Sequence, residues 1–302
     1  MSASGLDPVL VTGAPRSGTT WVGRTLTLSG ELGELYEPFN PTAHQARWFD
    51  PPEFYFYVEA RNADRYGTEL REMSRLQFPL TRVRSRMSLR TWRTARHHRR
   101  RHRTALVKDP LALFSTPWLA AELGFRPLIL VRHPAAFVSS LLRVRWQVRF
   151  GSWLRQPLLM DSLLAPWAEQ IERADAGQRD LTSDGALLWT VCNDVVRRWR
   201  DEHPSWLIVR HEDLAADPEV AFAGLYDALG LSWTDAVGTE IRTSTSADNP
   251  ADVASGAQHE LARNSRSIAT VWRSRLSDSQ IGVVRDIAGE VGAAFYGDGM
   301  WD

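Results

Sequence analysis

The chain has 302 residues, enough for one large domain, and 43% of them are hydrophobic, as in a globular protein with a full core. Its 36 basic and 36 acidic residues cancel, so net charge demands neither nucleic acid nor a membrane as an obligatory partner. A single cysteine, Cys192, excludes an internal disulfide, and no apolar run approaches the roughly 20 residues that span a bilayer. We therefore expect one cytoplasmic domain over residues 1–302, without a transmembrane segment.

Short β-rich runs alternate with stretches of helical periodicity. The runs cover residues 9–12, 105–107, 128–131 and 207–209, and helices are predicted at 20–28, 135–148, 185–202, 218–229 and 278–295. The last helix opens with a capping box, Ser277 to Gln280. This alternation predicts an α/β fold with a parallel sheet flanked by helices.

Two segments lack this alternation. Residues 38–104 form a long insertion without clear strands, which we expect to cap the sheet as an acceptor-binding lid. Its aromatic stretch "FYFYVEA" and Trp48 are able to stack on sugar rings or phenols, although such runs more often build core. Residues 243–259 are small and polar and are predicted to form a loop.

The stretch "VTGAPRSGTTWV", residues 11–22, keeps the glycine spacing of a Walker A loop, but Thr19 stands where that loop has lysine. A predicted strand precedes it and a predicted helix follows, which is the context of a phosphate-binding loop. The run 128–131 ends in Arg132 rather than in a magnesium-binding aspartate. These residues therefore favour an anionic donor that is bound without metal.

Lys108 is the only lysine, so 35 of the 36 basic residues are arginine, a bias typical of a GC-rich bacterial genome. Arginine does not replace lysine where a compact ammonium must reach one oxygen. Lys108 is therefore a candidate for chemistry.

Four motifs in order, "PRSGTTW", "VKDPLAL", "LILVRHPAAFVSSLL" and "LIVRHEDLAADP", resemble the PAPS-dependent sulfotransferase family. The resemblance implies a P-loop-type fold, PAPS as co-substrate and PAP as product. It also implies that Lys108 and Arg16 stabilise the bridging oxygen, while Arg132 and Ser140 hold the 3′-phosphate, with Ser139 as the rival hydroxyl. The residues implied to hold the 5′-phosphosulfate are Arg16, Ser17, Gly18, Thr19, Thr20 and Trp21.

The acceptor hydroxyl requires a base within hydrogen-bond reach. The chain lacks the histidine that phenol and steroid sulfotransferases place two residues after the lysine. Glu37, 21 residues after Arg16, resembles the glutamate base of tyrosylprotein and glycan sulfotransferases, and we expect it to follow a second strand. Asp109 and His133 are the alternative bases, although both positions also suit helix capping.

Further residues are assigned to the donor by the same resemblance. His211 is expected to contact adenine, and the stretch "ARNSRS" supplies Arg263, Arg266 and Ser267 to close the 3′-phosphate site.

Residues 82–103 carry ten arginines and three histidines without one acidic residue. The run is either an arm that attracts an anionic acceptor or membrane surface, or a solvated loop. We expect sulfuryl transfer to a hydroxyl on a carbohydrate or glycolipid, with a phenolic or other specialised metabolite as the alternative. An atypical P-loop kinase and an anionic-polymer-binding module are the alternatives from other classes.

Overall fold

The computed structural model describes residues 5–42, 47–177, 180–246 and 270–301. Within these ranges, five strands form one sheet in the order β2-β3-β1-β4-β5, and every pairing is parallel. The strands are β1 (Val9–Gly13), β2 (Leu32–Tyr36), β3 (Thr104–Lys108), β4 (Arg126–Val131) and β5 (Leu207–Arg210). The predicted α/β class is confirmed.

Helices connect the strands and cover the sheet. They are α1 (Thr19–Thr27), α2 (Gly67–Ser74), α3 (Arg86–Arg100), α4 (Thr116–Leu123), α5 (Pro134–Arg143), α6 (Gly151–Leu154), α7 (Pro157–Leu159), α8 (Ala168–Ala176), α9 (Leu181–Glu202), α10 (His211–Ala216), α11 (Pro218–Leu229), α12 (Asp235–Thr245) and α13 (Asp278–Tyr296). In the described part of the chain, no helix is both long and apolar enough to cross a bilayer.

Alternate strand residues feed two hydrophobic cores, one on each face of the sheet. Leu10, Val107 and Ile129 belong to the larger core, which includes α5, α9 and α13. Val9 and Leu106 belong to the smaller core with α1 and α11. Burial on both faces explains the continuous apolar runs from which the strands were predicted.

Several predicted boundaries differ from the structure. The helix predicted at 135–148 ends at Arg143, because Arg145 adopts a positive φ of 47° that ends the helical path. The loop predicted at 243–259 begins later, since α12 continues through Thr245, and the part from 247 onward lies outside the described residues. The capping box of Ser277 and Gln280 is confirmed.

The aromatic stretch of the insertion belongs to the core. Trp48, Tyr55, Phe56 and Tyr57 are all buried, and the Tyr55 ring packs edge-on against Trp153 with centroids 5.5 Å apart. These rings therefore hold the insertion against the domain, and their burial does not favour stacking on an acceptor. Cys192 is likewise buried within α9, where burial raises the pKa of its thiol.

The arginine run is a helix rather than a loop. Its α3 begins at a capping box in which the Ser85 and Ser88 side chains bond each other's backbone N–H groups. Thr91, Ala95 and His98 are buried, at spacings of four and three residues that place them on one helix face. The helix belongs to the crossover that connects β2 to β3, so it is part of the α/β domain.

Candidate active site

The predicted site residues follow the carboxyl ends of the strands. Because all five strands are parallel, these ends meet at one edge of the sheet. Gly13 ends β1, Glu37 follows β2, Lys108 ends β3, Arg132 follows β4 and His211 follows β5. Glu37 therefore does follow a second strand, as expected.

The loop between β1 and α1 requires glycine at two points. Gly13 has a φ of 141°, and a Cβ there would lie 2.3 Å from the Leu130 carbonyl oxygen. Gly18 has a φ of 102°, and a Cβ there would lie 2.5 Å from His211 Nδ1. Both positions combine left-handed backbone with a close neighbour, so only glycine fits.

The loop leads into the N-terminus of α1 with polar groups left for a ligand. Among the described residues, no side chain caps α1 at Gly18. The Ser17 hydroxyl is buried and has no hydrogen-bond partner in the described part of the chain. Since buried hydroxyl groups normally find partners, and helix N-termini attract anions, this cradle fits the phosphate of an anionic donor.

Lys108 and Glu37 form an ion pair at the centre of the edge. Lys108 Nζ donates to Glu37 Oε1 at 2.7 Å, and the lysine side chain is fully buried whereas that of Glu37 is 19% exposed. The ammonium lies 3.4 Å from the centroid of the Tyr36 ring, which gives it a cation–π contact. Asn40 Nδ2 donates to Glu37 Oε2 at 3.0 Å and fixes the carboxylate.

The backbone holds Glu37 in an uncommon conformation. Its φ is 48°, and its N–H donates to the Lys108 carbonyl oxygen at 2.8 Å. A non-glycine residue in the left-handed region costs free energy and is enriched at functional sites. The turn carries the carboxylate from the end of β2 across to the end of β3.

A second group of cations surrounds Ser140. Arg16 Nε donates to Ser140 Oγ at 3.2 Å, and Arg132 Nη1 donates to the Arg16 carbonyl oxygen at 2.9 Å. Burial lowers the pKa of Arg16, and the positive charge of Arg143 lowers it further. Of the two candidate serines, Ser140 therefore contacts the loop, whereas the Ser139 hydroxyl is buried without a hydrogen bond among the described residues.

Sequence reasoning missed Arg143. This exposed residue lies three positions after Ser140 on α5, so both side chains project from the same face of the helix. The three-residue spacing from Ser140 could have indicated that Arg143 lies on the same helix face. The fold was needed to show that its charge acts on Arg16.

The two alternative bases serve as helix caps. Asp109 is fully buried, and its two carboxylate oxygens accept from Phe39 N at 2.5 Å and Leu111 N at 2.8 Å. Burial raises the pKa of Asp109 to about 8, and the negative charge of Glu37 acts in the same direction. These backbone bonds leave Asp109 a structural role.

Both ring nitrogens of His133 form hydrogen bonds. Nε2 lies 2.9 Å from the Met300 carbonyl oxygen, which only accepts, so Nε2 carries the proton. Nδ1 accepts from Ala135 N at 3.2 Å, and the ring stacks on Trp272. Burial lowers the pKa of His133 to about 4, so the imidazole is neutral at physiological pH.

His211 supports the glycine loop. Its ring lies against Gly18 and meets the Trp21 ring edge-on, with centroids 5.5 Å apart. Trp21 in turn packs on Phe222 of α11, so these rings fix the start of α1. The remaining predicted donor ligands, Arg263, Arg266 and Ser267, lie outside the described residues.

Within the described ranges, no group of three histidine, cysteine, aspartate or glutamate side chains is placed to hold a metal ion. Independence from metal stays a prediction of the sequence.

The fold and the carboxyl edge of the sheet define an α/β protein with a glycine loop beside a lysine–carboxylate pair. The model of the sulfotransferase family matches residues 8–235, and the chain belongs to this family. Carbohydrate sulfotransferase 1 from Danio rerio is 29% identical over 178 residues. That alignment covers 57% of this chain but only 37% of the relative.

Solved structures with similar folds are also sulfotransferases by name. The sulfotransferase domain of the curacin biosynthetic pathway is 15% identical with a TM-score of 0.48, covering 93% of this chain and 97% of that one. Sulfotransferase STF9 from Mycobacterium avium is 14% identical with a TM-score of 0.46, covering 96% and 77%. Mouse sulfotransferase SULT7A1, complexed with PAP, is 13% identical with a TM-score of 0.43, covering 94% and 83%. The fold assignment rests on the strand order described above.

Proposed function

We propose that the chain transfers a sulfuryl group from PAPS to a hydroxyl group of a carbohydrate and releases PAP. The observation that carries this proposal is the Lys108–Glu37 pair, joined at 2.7 Å beside the glycine loop. Sulfuryl transfer needs a cation for the departing phosphate oxygen and a base for the attacking hydroxyl, and this pair supplies one of each.

The loop residues from Arg16 to Trp21 would hold the 5′-phosphosulfate through the N-terminus of α1 and the Ser17 hydroxyl. Arg132, Ser140 and Arg143 would hold the 3′-phosphate, the group that distinguishes PAPS from ATP. PAPS supplies the activated sulfuryl group when it is bound.

The proposed chemical step uses the residues at the carboxyl edge of the sheet. Glu37 takes the proton of the acceptor hydroxyl as the acceptor oxygen forms its bond to sulfur. The bond between sulfur and the bridging oxygen breaks, and its electrons stay on the 5′-phosphate of PAP. Lys108 and Arg16 stabilise that growing charge. Lys108 has three N–H donors, so it can meet the departing oxygen while remaining close to Glu37.

A carbohydrate acceptor is supported by the glutamate position and by the named carbohydrate sulfotransferase among the relatives. The aromatic stretch of the insertion, expected to stack on either sugar rings or phenols, is largely buried in the core and so supports neither acceptor.

Calorimetric titration with PAP, ADP and ATP, each with and without magnesium, tests the proposal. We expect PAP to bind tightly and indifferently to magnesium, with ADP much weaker because it lacks the 3′-phosphate. A preference for ATP with magnesium would identify a kinase instead, and the absence of nucleotide binding would overturn the donor site.

A further inference from the structure

The helix α3 presents a row of cations to solvent. Arg86, Arg93, Arg96 and Arg100 are exposed, and spacings of three, four and seven residues keep them on adjoining faces of the helix. The opposite face is buried through Thr91, Ala95 and His98. Like charges three or four residues apart destabilise an isolated helix, a repulsion that a bound polyanion would relieve.

Two clefts lie along this helix. One of 280 Å³ is lined by Trp92, Arg93, Arg96, His97, Arg100 and Arg101. Its aromatic ring is half-buried, with the Arg96 guanidinium 5.4 Å from the ring centroid. A ring set among arginines matches a ligand that alternates flat apolar faces with negative charges.

The second cleft is larger and lies at the N-terminal end of α3. It measures 620 Å³, and Ser85 and Ser88 of the helix cap line it together with Phe49 and other residues. Its charged lining residues are the cations Arg47, Arg65 and Arg82 and the acids Asp50 and Glu69. Arg47 pairs with Asp50 and Arg82 with Glu72, so these two cations are already partly neutralised. The large cleft therefore has a mixed charge, and the exposed row on α3 supplies most of the excess positive charge.

The N-terminal end of the helix faces the carboxyl edge of the sheet, where the active site lies, and its C-terminal end faces the opposite edge. His98, near its C-terminal end, lies against Gly33 at the start of β2. Earlier in the helix, Thr91 Oγ1 accepts from Arg47 N at 2.8 Å. Phe49 then packs against Phe39, with centroids 4.8 Å apart, two residues after Glu37. The 15-residue helix, about 22 Å long, thus leads from the small cleft through the large one toward the carboxyl edge.

We propose that α3 and its two clefts form the binding track for a linear anionic polysaccharide, the acceptor chain of the sulfotransfer reaction. This inference rests on the proposed function. Clefts in series accommodate a flexible chain, whereas a membrane surface is too flat to enter them. A polymer of sugar rings bearing carboxylate or sulfate groups provides both the hydroxyl acceptor and the charge that the arginines require.

Binding of dextran sulfate, with neutral dextran as the negative control, tests the track without turnover. In the first variant Arg93, Arg96 and Arg100 are changed to glutamine, which preserves helix propensity. The matched control changes the exposed Arg71, Arg173 and Arg242, on α2, α8 and α12, to glutamine and removes the same net charge.

We expect the α3 variant to bind dextran sulfate at least about tenfold more weakly, with a salt dependence lower by roughly two to three in log–log slope. The control variant should bind like the wild type. A version with lysine at the three α3 positions should retain most of the binding, which separates charge from helix disruption.

Equal losses in the α3 and control variants would overturn the track, because binding would then follow net charge alone. Preferential binding of oligo(dT) or of phosphatidylserine vesicles over dextran sulfate would overturn it in favour of a nucleic acid or a membrane. The PAP titration reports on the proposed function separately, since the α3 variant retains every donor residue.

Discussion

Replacing Glu37 with glutamine is the most direct test of the catalytic assignment. The substitution keeps the shape of the side chain but removes its ability to hold a proton. General base catalysis typically contributes about 10²–10⁴-fold, so we expect kcat to fall by that factor. PAP binding should persist, because the loop and the cations near Ser140 do not include Glu37.

The structure also sets the expected cost in stability. Glu37 accepts from the fully buried Lys108 at 2.7 Å and from Asn40 at 3.0 Å. Hydrogen bonds to charged groups are worth about 1.5–3 kcal/mol, and the uncharged glutamine weakens the bond from Lys108. Glutamine keeps an oxygen that accepts from Lys108 but leaves this buried cation without a counter-charge, so the free energy of unfolding should fall by roughly 2–5 kcal/mol. Thermal unfolding shows whether the variant folds.

Glu34→Gln is the matched control. This residue lies on β2, three positions before Glu37, and burial raises the pKa of its carboxyl group while its Oε1 has no hydrogen bond among the described residues. Turnover is measured by PAP release, PAP affinity by calorimetry and stability by thermal unfolding. If Glu37→Gln keeps kcat within about threefold of the wild type, the base lies elsewhere. A parallel fall in kcat and PAP affinity would mean that Glu37 only orients Lys108.

Three further predictions concern the donor site, the packing of Lys108 and acid stability. Arg132→Ala should raise the Kd for PAP by roughly 10- to 150-fold, the value of one charged hydrogen bond, but hardly change that for adenosine 5′-phosphosulfate; equal losses would contradict the 3′-phosphate role. Gly23→Ala would place a methyl group 3.0 Å from Lys108 Cγ and so displace the lysine side chain. We expect kcat to fall, while the higher helix propensity of alanine offsets the loss of stability. An unchanged kcat would show that catalysis tolerates this displacement of Lys108. Burial lowers the pKa of both His98 and His133 to about 4, so the unfolded chain binds more protons between pH 6.5 and 4. Each histidine should therefore cost about 2 kcal/mol of stability at pH 5, while the raised pKa of Asp109 opposes this loss, because the folded chain holds that proton up to about pH 8. The wild type should lose more stability between pH 7 and pH 5 than a His133→Phe variant, and equal losses in the two would refute this.

The sequence predicted those parts of the fold whose signals are local. The apolar runs of β1, β3, β4 and β5 indicated strands because both faces of this sheet are buried. The run of β2 is interrupted by Gly33 and Glu34, so only the position of Glu37 suggested it. For α3, the spacing of Thr91, Ala95 and His98 was present in the sequence, but the density of arginine suggested a solvated loop instead.

The contacts within the site could not be predicted from local sequence patterns. Contacts between distant segments, such as Arg16 with Ser140 and Phe39 with Asp109, join residues 124 and 70 positions apart. No periodicity reports such contacts. The parallel sheet nevertheless made part of the site predictable, because Glu37, Lys108 and Arg132 each end or follow a strand and parallel strands end at one edge. Arg143 escaped prediction because it is remote from any strand end.

Lys108 is the only lysine of the chain, and its surroundings give a physical reason for that choice. At 35 other positions this chain uses arginine as its cation, and the exposed arginines of α3 show how readily a surface accepts the larger group. Lys108 is fully buried, its ammonium lies 3.4 Å from the Tyr36 ring centroid, and its Cγ would be only 3.0 Å from a Cβ at Gly23. Arginine would have to place a longer and wider planar group at this fully buried position. The position therefore retains lysine for a reason of volume as well as chemistry, and Lys108→Arg should fail to restore the turnover that Lys108→Ala removes.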